Sequence, residues 1–336
     1  MDQPFEPSEA ELPGVLRGSW HRFLSTYEPL RTDLYRYCRH LTRSPWDAED
    51  LAQDTLSRAY VTLGQLGEAP PNPRAWLFRV ASNLWIDQVR KRRPEAPFRD
   101  ELDAGSATAD PMASREAAGT LLGQLSPQER AAVVLKDVFD FSLEEVAESL
   151  STSANAVKAA LHRGRGKLAE PAAEPARTSP PPRVLDAFCA AFNAGDLDGL
   201  TALLLDTSMA EVVGATTMYG PEAARRTVLY GMLFGAERLA TADVNGGIEA
   251  RFIQGALPKA PRVELREYRG EWIFLHWYEH QDGKAVRAVT RVEPDGDRVS
   301  RVRNYFFNSD LVAEVCGELG VPFRVNGHRW WLTGRC

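Results

Sequence analysis

Residues 142–167 read SLEEVAESLSTSANAVKAALHRGRGK, and the punctuation of this stretch decides the fold. Ser142 followed three residues later by Glu145 spells a capping box, in which each side chain satisfies the other residue's backbone N–H, so a helix starts here. The Ser151-Thr152-Ser153 break ends it. A second helix follows, with Val157, Leu161 and Leu168 inward and Lys158, His162, Arg163, Arg165 and Lys167 around them. Upstream, Ser126-Pro127 opens a helix running to about Val138. Short helices, a tight turn and a basic last helix predict a helix-turn-helix, although a basic helix end is also an ordinary solvated face.

Working outward, this block spans residues 112–169 between two linker-like stretches rich in Pro, Ala, Gly, Ser and acids. One is residues 94–111; the other is residues 170–182, whose repeated prolines favour an extended chain. The preceding block, residues 15–93, also reads as helical. Leu51, Thr55, Leu56, Ala59 and Leu63 recur at helical spacing until Gly64 and Gly67, and Asn72-Pro73 then caps a helix running to about Arg93. On that helix Leu77, Val80, Ala81 and Leu84 form an apolar side. Trp76, Arg79, Asn83, Asp87 and Arg90 form a mixed one, which suits a bundle that packs on one face and touches nucleic acid on another.

The last block, residues 183–336, opens with Val184, Leu185, Phe188, Ala191 and Phe192 at helical spacing, then Gly195-Asp196 and a second apolar set, Leu197, Leu200, Leu203 and Leu204. Strand-like segments follow: Arg262 to Tyr268, Trp272 to Tyr278, Lys284 to Val292 and Arg298 to Phe306, separated by turns at Gly270, Asp282-Gly283 and Pro294 to Asp297. Helices followed by a run of strands predict an α+β domain. The tail from Asp310 to Cys336, with Trp330 and Trp331, has two possible places to pack, this domain or a helical one.

Global quantities bound the function. At about 150 residues per domain, 336 residues imply two or three units, and 44% apolar and 26% charged residues are the composition of a globular chain. The net charge of −6 is uneven: residues 1–100 sum to zero, 101–170 to −4 and 171–336 to −2. Basic runs at Arg90-Lys91-Arg92-Arg93 and Lys158 to Lys167 therefore set local fields that the total hides. Cys38, Cys189, Cys316 and Cys336 have neither metal-ligand nor disulfide-framework spacing, so no metal and no cofactor is expected. No apolar run approaches the roughly 18 residues that cross a bilayer, and the acidic, Pro-broken start is unlike a signal peptide, so a cytoplasmic protein without a membrane partner is expected.

Two motif sets support a family resemblance. Asp47-Ala-Glu-Asp-Leu-Ala-Gln-Asp-Thr-Leu56, with Asn72 to Asn83, Asp87 and the basic run after it, resembles region 2 of extracytoplasmic-function sigma factors of the sigma-70 class. Leu125 to Arg130, Ser142 to Ala147 and Ala156 to Arg165 resemble region 4. The resemblance covers about half of the chain. It implies that Asp47, Glu49, Asp50, Gln53 and Asp54 face the β′ clamp helices of RNA polymerase core, with region 4 at the β flap. It also implies that Arg79 and Asn83 engage a downstream, minus-10-type promoter element, and that Arg90, Lys91, Arg92 and Arg93 contact phosphates. Lys158, His162, Arg163, Arg165 and Lys167 then face an upstream, minus-35-type element, where Ala159 and Ala160 replace the polar residues often found in the family. Trp76 and Trp85 are either stacking or core residues.

Phe192-Asn-Ala-Gly-Asp-Leu197, the leucines after it, the Gly220-Pro-Glu-Ala start and the strands resemble a SnoaL-like domain, a curved sheet closed by helices into a cone. This implies a regulatory domain for a small-molecule ligand or protein partner. Two alternatives remain. One is a tethered isomerase or cyclase using Glu264, His276 or Asp282, although a hydrogen-bonded strand histidine is the plainer reading of His276. The other is a DNA-binding regulator independent of polymerase. The sigma reading makes the chain no enzyme.

Overall fold

The computed structural model describes residues 21–66, 69–92, 125–167, 181–233, 260–280 and 283–325. The chain divides into two compact units, Met1–Glu174 and Pro175–Cys336.

The described part of the first unit is helical. Helix α1 covers residues 21–27 and passes through a 3-10 turn, Glu28–Leu30, into α2, Arg31–Thr42. Arg43 ends α2 in the left-handed conformation, and Ser44 leads into α3, Pro45–Leu66. Asn72 caps α4, Pro73–Arg92, its side-chain oxygen accepting from the Ala75 N–H at 3.0 Å. Leu34, Leu41, Leu51, Ala59, Leu63, Leu77 and Ala81 are buried where these helices meet. They recur four, seven or eight residues apart along each helix, which gives one apolar stripe per helix.

Helix α5, Pro127–Val133, runs on into a π-turn, Val134–Val138, and is followed by α6, Leu143–Ser149, and α7, Ala154–Lys167. The segment read as one helix to Val138 therefore widens in its last turn. Capping boxes start both α5 and α6: Ser126 pairs reciprocally with Glu129, and Ser142 with Glu145. Gly164 lets α5 and α7 approach closely, since a Cβ there would lie 2.8 Å from Val133 Cγ2.

The second unit is α+β. Helices α8, Arg183–Ala194, and α9, Leu197–Ala202, are divided by Gly195, which is left-handed at φ 68°, and by Asp196, which caps α9 through the Gly199 N–H at 2.8 Å. Then come β1, Leu204–Val212, and β2, Thr216–Tyr219. Helix α10, Pro221–Ala224, continues through a π-turn, Arg225–Leu229, and a last turn, Tyr230–Met232. Strands β3, Arg262–Tyr268, β4, Glu271–His280, β5, Gly283–Asp295, and β6, Arg298–Asn304, precede α11, Ser309–Leu319. They form a six-stranded sheet in the order β2-β1-β6-β5-β4-β3, antiparallel except for the β1–β6 pair.

Leu204 does not continue the preceding helical set as the apolar pattern suggested; it is the first residue of β1, whose partner strand lies in the far C-terminal part of the unit. One sheet face packs under Leu185, Phe188 and Phe192 of α8 and Val228 and Leu229 after α10. Ile273, Leu275 and Val289, which strand alternation turns the other way, are also fully buried, and α11 packs against β5 with Leu311, Val312, Val315 and Cys316 buried. Asn193 locks the helical layer to the edge strand, accepting from the Val263 N–H at 2.8 Å and donating to its carbonyl at 2.9 Å. That bidentate pairing occupies edge groups that would otherwise invite another strand. Residues 93–124, 168–180, 234–259 and 326–336, which include the first linker, most of the second, Leu168, Trp330 and Trp331, lie outside the described residues.

Candidate nucleic-acid interface

Of the five residues expected on the outer side of α3, Asp47, Asp50 and Asp54 lie three and four apart and share one helical face. Asp54 is exposed, and its carboxyl is raised above the usual range by partial burial and by the neighbouring Asp50 charge. Glu49 departs from the expectation. It is 1% exposed and ion-paired with Arg31 at 2.8 Å, and Gln53 donates to the same carboxylate oxygen at 2.7 Å. Glu49 thus braces α3 against α2 instead of facing a partner, and Gln53 is partly committed to that brace. Val61, 55% exposed, extends the outward stripe by two further turns; an isolated valine in a helical pattern gave no sequence signal for this.

On α4, Asn83 and Lys91 are exposed, and Arg90 is exposed beside Asp87 at 3.9 Å. Arg79 is half-buried, with Glu148 of α6 3.6 Å from its guanidinium. The Arg92 side chain and all of Arg93 lie outside the described residues. Trp85 is buried beneath the Arg130 guanidinium, which stands 5.1 Å from its ring centre, and Trp76 is half-buried near Tyr27. The Trp85 indole therefore serves packing.

On α7 the buried side is Val157, Ala160, Leu161 and Gly164, and the exposed side is Asn155, Ala156, Lys158, Ala159, His162, Arg163 and Arg165. Stepping about 100° per residue, Asn155, Ala159 and His162 fall along the middle of the exposed side, with Lys158 and Arg165 on one flank and Ala156 and Arg163 on the other. Ala160 is interior and is not a reading position. Arg163 and Arg165 are also less available than expected. Arg163 Nε donates to the buried Glu129 at 3.0 Å, and Arg165 forms a bidentate pair with Asp137 at 3.0 and 2.5 Å. That pairing raises the Arg165 pKa. These two arginines fasten α7 to α5 and to the π-turn, while Lys158 and His162 project into solvent. The Lys167 side chain lies outside the described residues. Asn155, absent from the sequence expectation because it carries no charge, sits at the start of the exposed stripe.

In the second unit, the expected acid/base groups do not converge. His276 pairs across β3–β4 with Val263, whereas Glu264 pairs with Leu275, so their side chains point to opposite sheet faces. His276 is buried against the Phe192 ring. Its Nε2 lies 2.7 Å from the Thr290 hydroxyl, which also accepts from Asn304 at 2.9 Å, and burial lowers its pKa to about 3. Glu264 accepts from the Trp277 indole at 2.9 Å and pairs with Arg266 at 3.3 Å. Asp282 lies outside the described residues.

An all-helical unit with an acidic outward stripe on α3, a basic end on α4 and a helix-turn-helix in α6–α7 defines a DNA-binding protein of the transcription machinery. Comparison with known proteins makes this specific. Residues 26–95 match the Sigma-70 region 2 family, and residues 115–168 match Sigma-70, region 4. The chain is 32% identical over 291 residues to the ECF RNA polymerase sigma factor SigJ of Mycobacterium tuberculosis, covering 76% of this chain and 90% of SigJ. It is 31% identical over 245 residues to SigG of the same organism, covering 62% of this chain and 66% of SigG. The crystal structure of M. tuberculosis SigJ aligns with 84% of this chain and 95% of its own at 24% identity and a TM-score of 0.32. The chain belongs to the family of ECF RNA polymerase sigma factors, which direct promoter recognition and the initiation of transcription. Among the described residues no helix is long and apolar enough to cross a membrane.

Proposed function

We propose that this chain acts in the cytoplasm as a promoter-specificity subunit of bacterial RNA polymerase, and that its second unit is a SnoaL-like regulatory domain. The observation that carries the reading is the order and polarity of the helical surfaces: carboxylates outward on α3, which the buried Glu49–Arg31 pair braces, then a basic α4 capped by Asn72, then an exposed polar stripe on α7, capped by Ser153. Asp47, Asp50 and Asp54 suit a basic surface of the polymerase core. Asn83, Arg90 and Lys91 suit the downstream promoter element, and Lys158 and His162 flank or face the upstream one. Opening DNA costs base stacking, which contacts to captured single-stranded bases partly offset.

The second unit serves regulation and not turnover. Its buried histidine is neutral at physiological pH and already hydrogen-bonded, and Glu264 lies on the other face, so these two groups do not face a common point. A small molecule or protein bound there shifts the sigma unit only by binding its states unequally. Run-off transcription with purified core polymerase and a genomic promoter library, comparing the full chain with residues 1–174, tests both parts. Discrete chain-dependent starts support the sigma role. Equal starts and equal core affinity from the two forms would remove the regulatory one.

A further inference from the structure

We infer that Asn155 of α7 selects an adenine in the upstream promoter element, and that this helix chooses bases at A·T pairs while its arginines stay out of base reading. This rests on the sigma reading above and adds to it the residue that sets the base choice.

In a helix-turn-helix the N-terminal part of the second helix enters the major groove and meets base edges. Helix α7 begins at Ala154, and Ser153 caps it, its hydroxyl accepting from the Ala156 N–H at 3.2 Å. Asn155 is therefore not needed as a cap. It is exposed, and it faces away from the buried side formed by Val157, Ala160, Leu161 and Gly164. Asparagine is also a weaker helix former than the alanines on either side, so neither capping, packing nor propensity accounts for it. What its amide offers is a donor beside an acceptor. That pair matches adenine, whose N7 accepts from Nδ2 while its N6 amino group donates to Oδ1. Guanine presents two acceptors, N7 and O6, so the Asn155 carbonyl would meet O6 with no proton between them. Ala159, one turn further along the same exposed side, and Ala156 on its flank present methyl groups that suit the 5-methyl of thymine.

Guanine is read by a fork of donors, which on α7 only an arginine carries. Both arginines are committed elsewhere. Arg163 donates to Oε1 of Glu129 at 3.0 Å, and the other oxygen of that carboxylate accepts from the Ser126 N–H at 3.0 Å. The Glu129 side chain is 6% exposed, so releasing Arg163 to a base would leave a buried carboxylate without its cation. Arg165 is held by both oxygens of Asp137. The two arginines also lie about 12 and 15 Å beyond Asn155 along the helix axis, at 1.5 Å per residue. Lys158 stands about 60° from Asn155 around the helix, toward the groove wall, where it adds salt-dependent affinity without base choice. His162 is about 10 Å from Asn155, a span of roughly three base pairs, and a ring N–H that reaches a purine N7 meets the same acceptor on adenine and on guanine. Asn155 is thus the side chain of the exposed stripe whose hydrogen bonds tell the purines apart.

The test is base selection in the upstream element. The full chain and core polymerase are given promoters in which that element is randomised, and the DNA they retain is sequenced. The native chain should show a position at which adenine is preferred to guanine by about tenfold or more. Asn155→Ala should flatten that position and no other, and Asn155→Arg should turn its preference to guanine. Because Asn155 is exposed, both variants should keep the native circular dichroism spectrum and melting profile. A change in the DNA separates contact from indirect effects. Placing 7-deazaadenine, which lacks the N7 acceptor, at the selected position should weaken binding of the native chain about threefold or more and leave Asn155→Ala unaffected. The proposal is overturned if Asn155→Ala leaves every upstream preference in place, if the position it alters prefers a base other than adenine, if Asn155→Arg still prefers adenine there, or if 7-deazaadenine weakens both chains equally. Chain-dependent transcription starts are read separately, and their absence would remove the sigma reading. The same selection with the chain alone on duplex DNA would then still decide the role of Asn155, and enrichment of no base would overturn it.

Discussion

Glu49 and Asp54 are five residues apart on one helix and do opposite work. Removing the Glu49 carboxylate leaves Arg31 without its buried partner, so Glu49→Ala should lower stability by about 3 kcal/mol in denaturant unfolding. Asp54→Ala, at an exposed site, should leave unfolding nearly unchanged and weaken binding to core polymerase, measured by competition. His276 gives a pH signature. Burial lowers its pKa to about 3, against 6.5 in the unfolded chain, so between these values the unfolded state binds a proton that the folded state does not. Stability from this group is complete above pH 6.5 and falls toward pH 3, by up to about 1.4 kcal/mol per pH unit. Thermal melts at pH 4.5 and 7.5 should differ less in His276→Gln than in the native sequence.

At the scale of elements, α7 is held by close approach at Gly164 and by the Arg163–Glu129 and Arg165–Asp137 pairs. Gly164→Ala gains helix propensity, yet places a methyl against Val133, so a net loss of about 1 kcal/mol is expected from thermal unfolding. Lys158→Ala should weaken promoter binding with little change in melting temperature and reduce the salt slope of binding by about one. Arg163→Ala should lower the melting temperature as well. The elements most legible in the sequence were those with local signals. Ser142 with Glu145, Asn72-Pro73 and Gly195-Asp196 marked boundaries because caps and turns are decided within a few residues. Strand β1 was not legible: Leu203-Leu204 extends a helical apolar set, and only pairing with β6, nearly a hundred residues later, makes Leu204 a strand residue. Helix α11 was not read from the sequence, which left residues 310–336 as a tail, and the sheet face it covers appears only when β4 and β5 are assembled. Among site residues, charge was readable and its allocation was not. Glu49, Arg163 and Arg165 carry the expected residue types, but their partners, Arg31, Glu129 and Asp137, lie 18 to 34 residues away in sequence.

At the scale of the molecule, a helical sigma unit and an α+β unit share one chain, joined through a Pro-rich stretch. Covalent linkage keeps the local concentration of one near the other high, on the order of millimolar, so weak contacts suffice for control. Removing residues 175–336 should therefore change transcript yield at a fixed promoter without changing the start position, because the residues proposed to face the promoter all lie in the first unit. The most direct test of the central claim is run-off transcription by purified core polymerase with and without the full chain. The account predicts discrete start sites that appear only when the chain is added and diminish with Asp54→Ala and Lys158→Ala. Absence of both core binding and chain-dependent starts would contradict it.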